Sequence, residues 1–361
     1  MRKSLKIAQL VWPENSIPPV KYGSIQSMVA ELTNALVDRG HDLTVFGPKN
    51  SKVNARIIAV SEVGTREDKT LVDRSLYRYI TLTEFIKRKD EFDLVHSHIS
   101  YGIFPLLEII NIPVVVTLHG IYKNIHLREA FAKYGKKANF VAISEKQKNI
   151  LSNLVYSGVV HHGINVEKYD FSNIGGKDMF FTGRLSPAKG LEDAIKISKF
   201  LNIPLKIAGK VDDTKIDHDY FEKIIEPELK NQKINYLQEL SHEKLNVVFA
   251  NSKLLICPFK WEEAFGLVMI ESMACGTPVV AYNRGAVSEI IKDGETGFIV
   301  EPGNLKAMAE AVKKIYAMSS DEYTKMRKAC RKHVEENFTA QKMAQGYEKI
   351  YQKVMEDWRK K

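Results

Sequence analysis

The stretch Phe259-Lys260-Trp261-Glu262-Glu263-Ala264-Phe265-Gly266-Leu267-Val268-Met269-Ile270-Glu271-Ser272-Met273-Ala274-Cys275-Gly276-Thr277-Pro278-Val279-Val280-Ala281 decides the reading of this chain. The apolar run just before it, residues 253–258, has the continuous hydrophobicity of a parallel strand buried on both faces. Glu262 and Glu263 then precede a helical spacing of Leu267, Ile270 and Met273, closed by Gly276 with Pro278 beyond. A second apolar strand follows at residues 278–282. Read as one helix rising about 1.5 Å per residue, the segment puts Glu263 and Glu271 about 12 Å apart along its axis. The amides of Phe265, Gly266 and Leu267 lie between them at the helix N-terminus, where an anion is favoured. A carboxylate, an anion cradle and a second carboxylate in line suit a sugar, a diphosphate and a ribose. The plainer alternative is a first-turn acid at Glu263 and a solvated helix residue at Glu271.

Outward from that stretch, strands and helices alternate as they do around parallel sheets, which predicts an α/β fold. Residues 6–11, 43–46, 93–97, 113–118, 140–143 and 155–160 form a first series of strands, and residues 24–39 an amphipathic helix ended by Gly40. A loop over 161–176, rich in Gly, Asn and Asp, marks a boundary between domains. The second series runs through residues 178–182, 204–208, 231–237, 253–257 and 278–282. A length of 361 residues also fits two domains. With 44% hydrophobic and 27% charged residues the composition is that of a globular chain. Nothing approaches the run of about 18 apolar residues that a membrane span needs, and the apolar run at the start is too short for a signal peptide. The three cysteines, Cys257, Cys275 and Cys330, are odd in number and lack metal-ligand spacing, which fits a reduced cytosol.

Ligands of such sheets bind at the carboxyl ends of the strands. The turns there read Lys21-Tyr22-Gly23-Ser24-Ile25-Gln26, Thr117-Leu118-His119-Gly120 and Phe181-Thr182-Gly183-Arg184-Leu185-Ser186-Pro187-Ala188-Lys189-Gly190. Arg184 offers a planar fork of donors and Lys189 a compact charge, both suited to a leaving diphosphate. The last turn is not a Walker loop, because no Ser or Thr follows the lysine and the glycine spacing differs. His96-x-His98, after another strand, reads as residues that shape the cleft, and a zinc site would need a third ligand.

Taken in order, Gly183-Arg184-x4-Lys189-Gly190, Glu263-x7-Glu271 and Ala274-x-Gly276-x-Pro278 resemble the motifs of the retaining glycosyltransferases of family 4. The resemblance covers most of the chain. It implies the GT-B fold: two Rossmann-like parallel-sheet domains facing across a cleft, with a C-terminal helix crossing back to the N-terminal domain. The expected domains are 1–165, on the acceptor side and joined by the helix over about 340–361, and 166–339, which binds the donor. The last segment has helical spacing at Met343, Tyr347, Ile350, Tyr351 and Val354. The resemblance also implies roles. Glu263 holds donor-sugar hydroxyls, Glu271 the ribose, Arg184 and Lys189 the diphosphate, and His119 the reacting region. Gly23, Gly183, Phe265, Gly266 and Leu267 belong to the donor site, and Leu237 meets the base through its backbone. The glycine loop departs from the family pattern, with Ser24 and Gln26 where many members carry a second glycine and an acid.

The expected activity is metal-independent transfer of a sugar from a nucleotide-diphosphate sugar to an acceptor hydroxyl with retention. A UDP-sugar is the favoured donor, a GDP-sugar the other candidate, and no cofactor, metal or nucleic acid is expected. A nicotinamide dehydrogenase is excluded by the missing Gly-x-Gly-x-x-Gly after the first strand, and a glycosidase by the separation of the two acids. A nucleotide-sugar 2-epimerase of the same fold and a non-catalytic sugar-nucleotide binding protein remain as alternatives. Residues 1–165 carry 22 Lys and Arg against 15 Asp and Glu, while the rest carries 31 against 29. The excess includes Lys123, Arg128, Lys133, Lys136 and Lys137 around a helix predicted over 125–137. One reading is a solvated basic helix in a chain that is basic overall; the other is an anionic or lipid-linked acceptor and a cytoplasmic protein peripheral at the inner membrane face.

Overall fold

The computed structural model describes residues 4–21, 23–152 and 154–360. Short apolar runs such as Val114–Thr117 and Leu254–Cys257 become strands with every residue buried, as a sheet covered on both faces requires. In chain order the strands are β1 (Lys6–Leu10), β2 (Asp42–Pro48), β3 (Arg56–Ser61), β4 (Leu94–Ser97), β5 (Val114–Thr117), β6 (Asn139–Ala142) and β7 (Tyr156–Val159). They continue with β8 (Met179–Thr182), β9 (Leu205–Ala208), β10 (Ile234–Tyr236), β11 (Leu254–Cys257), β12 (Val279–Tyr282) and β13 (Gly297–Val300).

Two sheets result, ordered β3-β2-β1-β4-β5-β6-β7 and β10-β9-β8-β11-β12-β13. Every neighbouring pair of strands is parallel. Each sheet grows one way from its first strand and then the other way. The order therefore reverses between β1 and β4 and between β8 and β11, the points where doubly wound sheets bind ligands. The chain divides into two compact units, one of Met1–Ile164 with Ala340–Lys361 and a second of Asn165–Thr339.

The last helix, Ala340–Arg359, belongs to the first unit and packs on the helix Ser24–Asp38 and on β7. Met343, Ala344, Tyr347, Tyr351 and Val354 enter the same buried cluster as Met28, Leu32 and Leu36. Each large side chain so buried contributes about 1.5–3 kcal/mol. Polar bonds fix its register. Arg39 donates from Nε and Nη2 to the Glu348 carboxylate, both at 2.8 Å. Tyr351 Oη lies 2.7 Å from His96 Nδ1, and Tyr347 Oη lies 2.8 Å from Thr117 Oγ1, which lies 2.7 Å from His96 Nε2.

The structure departs from the sequence reading in three places. β3 and β13 were not expected, and each is the outermost strand of its sheet. The helix after β11 spans Leu267–Ala274 with Glu263 before it, as the sequence indicates, but the helical spacing of about 12 Å between Glu263 and Glu271 does not apply. Its start is set by Gly266 at φ 90° and by the Glu263 carbonyl, which accepts from Ala286 N at 2.9 Å. The helix expected over 125–137 ends at Tyr134, and Gly135–Lys137 form a tighter turn.

Tyr351→Phe leaves a ring nitrogen of the fully buried His96 without its partner. The expected cost is about 1–3 kcal/mol. Thermal unfolding should show a midpoint lower by at least about 2 °C, since about 2–4 °C accompanies each kcal/mol in a unit of this size. An unchanged midpoint would contradict the role given to this bond.

Candidate functional site

In the second unit the loops after β8 and β11 carry most of the predicted residues. Gly183 and Arg184 follow β8, and Lys189 sits in the short turn Pro187–Lys189 before the helix Leu191–Leu201. Gly190, at φ 72°, joins that turn to the helix, and a Cβ there would collide with the Pro258 carbonyl. Only glycine permits this approach. It brings the Lys189 loop against the loop after β11, where Lys260 N donates to Ala188 O at 2.9 Å.

Across that contact Lys189 Nζ donates to Glu263 Oε2 at 2.6 Å, with side chains 14% and 10% exposed. Trp261 Nε1 donates to the same oxygen at 3.1 Å. The Lys189 ammonium lies 4.9 Å from the ring centres of both Phe259 and Trp261, and the Arg184 guanidinium 5.7 Å from that of Trp261. Arg184 Nη1 donates to Asp212 Oδ2 at 3.3 Å, and Lys210 Nζ lies 3.3 Å from Asp212 Oδ1. Burial works to raise the Asp212 carboxyl, but Lys210 and Arg184 outweigh it and hold it below its ordinary range. Three cations, Lys189, Arg184 and Lys210, and two carboxylates, Glu263 and Asp212, thus meet beside the point where the sheet order reverses.

The loop before the helix is tied from behind. Glu262 accepts from Gly285 N at 2.7 Å and from Arg284 Nη1 at 3.3 Å. Phe265 turns its ring into the core, edge-on to Phe338. Gly266 caps the helix that Leu267 begins. Glu271 lies within that helix and accepts from Tyr169 Oη at 3.4 Å. Glu263 and Glu271 are only 8% and 9% exposed, so neither is a solvated surface acid. Leu237 follows β10, and its own N–H is taken by Ile207 O at 2.8 Å. Asp212, Lys210 and Tyr169 were not singled out by the sequence, because none stands inside a motif, and Trp261 stands inside the opening stretch without being given a role there.

Gly23 and His119 lie in the first unit. Gly23 precedes the helix Ser24–Asp38, and Tyr22 of the same loop falls outside the described residues. His119 follows β5 and does not stand alone. Its Nε2 lies 3.1 Å from His98 Nδ1, and its ring stacks on His162 at 5.4 Å. His98 in turn touches His96, with ring centres 4.2 Å apart. Among the described residues, His98 Nε2 is buried without a hydrogen-bond partner. Also among the described residues, no group of three or more His, Cys, Asp or Glu is placed to hold a metal ion. Nor is any helix there long and apolar enough to cross a membrane.

Burial holds these histidines neutral. Desolvation lowers His119 to about 3. Desolvation, with a smaller contribution from His119, lowers His96 to about 3. His98 and His162 are pushed well down for the same reason, then by neighbouring rings. The unfolded chain takes up these protons below about 6.5, whereas the folded chain refuses them until far lower pH. Stability is therefore fully present above about pH 6.5 and is lost as pH falls toward 3. The slope is up to about 1.4 kcal/mol per pH unit for each buried histidine. The thermal midpoint should drop between about pH 6.5 and pH 5, and a midpoint flat over that range would contradict this arrangement.

Residues 169–334 match the family model described as glycosyl transferases group 1, and residues 25–168 match that of Glycosyltransferase Family 4. An uncharacterised glycosyltransferase of Methanocaldococcus jannaschii is 27% identical over 289 residues, covering 74% of this chain and 78% of the relative. The solved structure of a sucrose-phosphate synthase from Thermosynechococcus elongatus superposes with a TM-score of 0.80 at 19% identity, covering 98% and 99% of the two chains. An Anabaena protein crystallised with UDP-glucose does so with a TM-score of 0.76 at 17% identity, covering 97% and 99%. Both superpositions establish a common fold.

Proposed function

We propose that this chain, which belongs to the glycosyltransferases of GT-B fold, moves a hexosyl group from a nucleotide-diphosphate sugar to an acceptor hydroxyl with retention of configuration. The carrying observation is the Lys189–Glu263 contact with Arg184 beside it, at the reversal point of the second sheet. Departure of a nucleoside diphosphate develops negative charge, and fixed cations stabilise such charge in the transition state. Lys189 and Arg184 supply two positive charges for the diphosphate. The proposed course therefore assigns no step to a metal ion. Glu263 is left to orient sugar hydroxyls and Glu271 to hold the ribose. Gly183, Leu237, Phe265, Gly266 and Leu267 would present backbone groups to the donor. The family resemblance assigns Gly23 to the diphosphate and His119 to the reacting sugar. A UDP-sugar is the favoured donor, a choice supported by the UDP-glucose bound to the Anabaena neighbour. Retention rests on the resemblance, with the departing phosphate taking the acceptor's proton on the face it leaves.

Lys189→Ala and Arg184→Ala should each lower kcat by about 10²–10³, as removal of a charge-stabilising donor does elsewhere. Glu271→Gln should chiefly raise donor KM, because a ribose contact changes little during reaction. Activity should survive EDTA. Loss of turnover in EDTA with recovery on adding magnesium would contradict the part given to the two cations, and nucleotide release that ignores added acceptor would contradict transfer.

The acceptor is proposed to be anionic, soluble or lipid-linked. Lys123, Lys133 and Lys136 stand exposed around the helix Ile125–Tyr134, as do Ile125 and Tyr134. A variant with Lys133, Lys136 and Lys137 changed to Glu should lose low-salt co-sedimentation with anionic vesicles if the acceptor is lipid-linked. It should only raise acceptor KM if the acceptor is soluble. Wild-type values for both would contradict an anionic acceptor at this face.

A further inference from the structure

Trp261 touches three of the four charged groups that the proposed reaction uses on the donor: Glu263, Lys189 and Arg184. Its indole N–H bonds Glu263 Oε2, the oxygen that also accepts from Lys189. Its ring receives the Lys189 ammonium at 4.9 Å and the Arg184 guanidinium at 5.7 Å. The ring of Phe259, 2% exposed, also lies 4.9 Å from that ammonium. Trp261 itself keeps 38% of its surface exposed, although the loop that carries it is tied down on both flanks.

The physical problem at this point is mutual repulsion. Two cations meant for one diphosphate repel each other before it arrives, and flexible side chains relieve that by moving apart. Asp212 and Glu263 hold each cation from one side. The negative face of an indole holds both from another, and tryptophan is the strongest of the aromatic rings in this respect. The indole N–H has a separate effect. A carboxylate whose Oε2 is held by both Lys189 and Trp261 has its rotamer fixed, so that a sugar meets it already oriented.

We propose that Trp261 is a positioning residue of the donor site, its ring gathering Lys189 and Arg184 for the diphosphate and its N–H setting Glu263 for the sugar. The inference rests on the donor-site reading given above. It separates two contributions that a single deletion would merge. Trp261→Phe keeps a ring beneath the cations and removes the N–H. Trp261→Leu removes both.

The experiment measures UDP affinity by calorimetry, and kcat and KM with a UDP-sugar donor, for wild type, Trp261→Phe and Trp261→Leu. Circular dichroism confirms that each variant is folded. For Trp261→Phe, UDP affinity should stay within about twofold while kcat falls about tenfold, the size of one charge-assisted hydrogen bond. For Trp261→Leu, UDP affinity should also fall about tenfold, in line with loss of a desolvated cation–π contact. A merely structural role would scale active fraction in both variants and leave the UDP dissociation constant unchanged. Wild-type UDP affinity in Trp261→Leu, or unchanged kcat in Trp261→Phe, overturns the inference while the donor-site reading stands. Failure of the wild-type protein to bind UDP, GDP or ADP and their sugars overturns that reading, and the inference with it.

Discussion

Lys189 and Glu263 are 74 residues apart in the chain and 2.6 Å apart in space. Nothing in either loop alone brings them together. The approach needs the strand order to place β8 beside β11, and it needs a residue without a Cβ at 190 so that one loop can press on the Pro258 carbonyl. Buried ion pairs contribute little to stability, because the desolvation of both charges offsets their attraction. Here the pair is accompanied by two aromatic rings and a second cation held by Asp212. Such a grouping is a poor way to strengthen a fold and a good way to hold charge in readiness for an anion.

The first unit solves a different problem with histidine. Four rings, at His96, His98, His119 and His162, line up in contact from the sheet outward. Burial keeps them uncharged, so they act as hydrogen-bonding rings rather than cations. Their inner end is anchored by Tyr347 and Tyr351 of the last helix, which ties the C-terminus to the strand ends that carry His96 and Thr117. Residues more than 200 positions away in sequence therefore hold the row to which His119 belongs.

How much of this was legible in the sequence follows from burial. Central strands such as β5 and β11 are apolar throughout and announce themselves. β3 and β13 are outermost, less fully buried and less uniform, and they gave no such signal. The motif residues Arg184, Lys189, Glu263 and Glu271 were found because their spacing is local and shared with a known family. Their partners Asp212, Trp261 and Tyr169 were not, because those contacts are made only by the fold. The spacing between Glu263 and Glu271 was misjudged for the same reason, since Glu263 stands before the helix with its carbonyl taken by Ala286 from the loop after β12.

The central claim is that the second unit seats a nucleotide-diphosphate sugar on Lys189 and Arg184, with Glu263 facing the sugar. A crystal structure with an intact UDP-sugar tests it most directly. The account predicts diphosphate oxygens at about 2.7–2.9 Å from Lys189 Nζ and the Arg184 guanidinium, with the Glu263 carboxylate bonded to sugar hydroxyls. A nucleotide bound elsewhere, or a diphosphate out of reach of both cations, would contradict it.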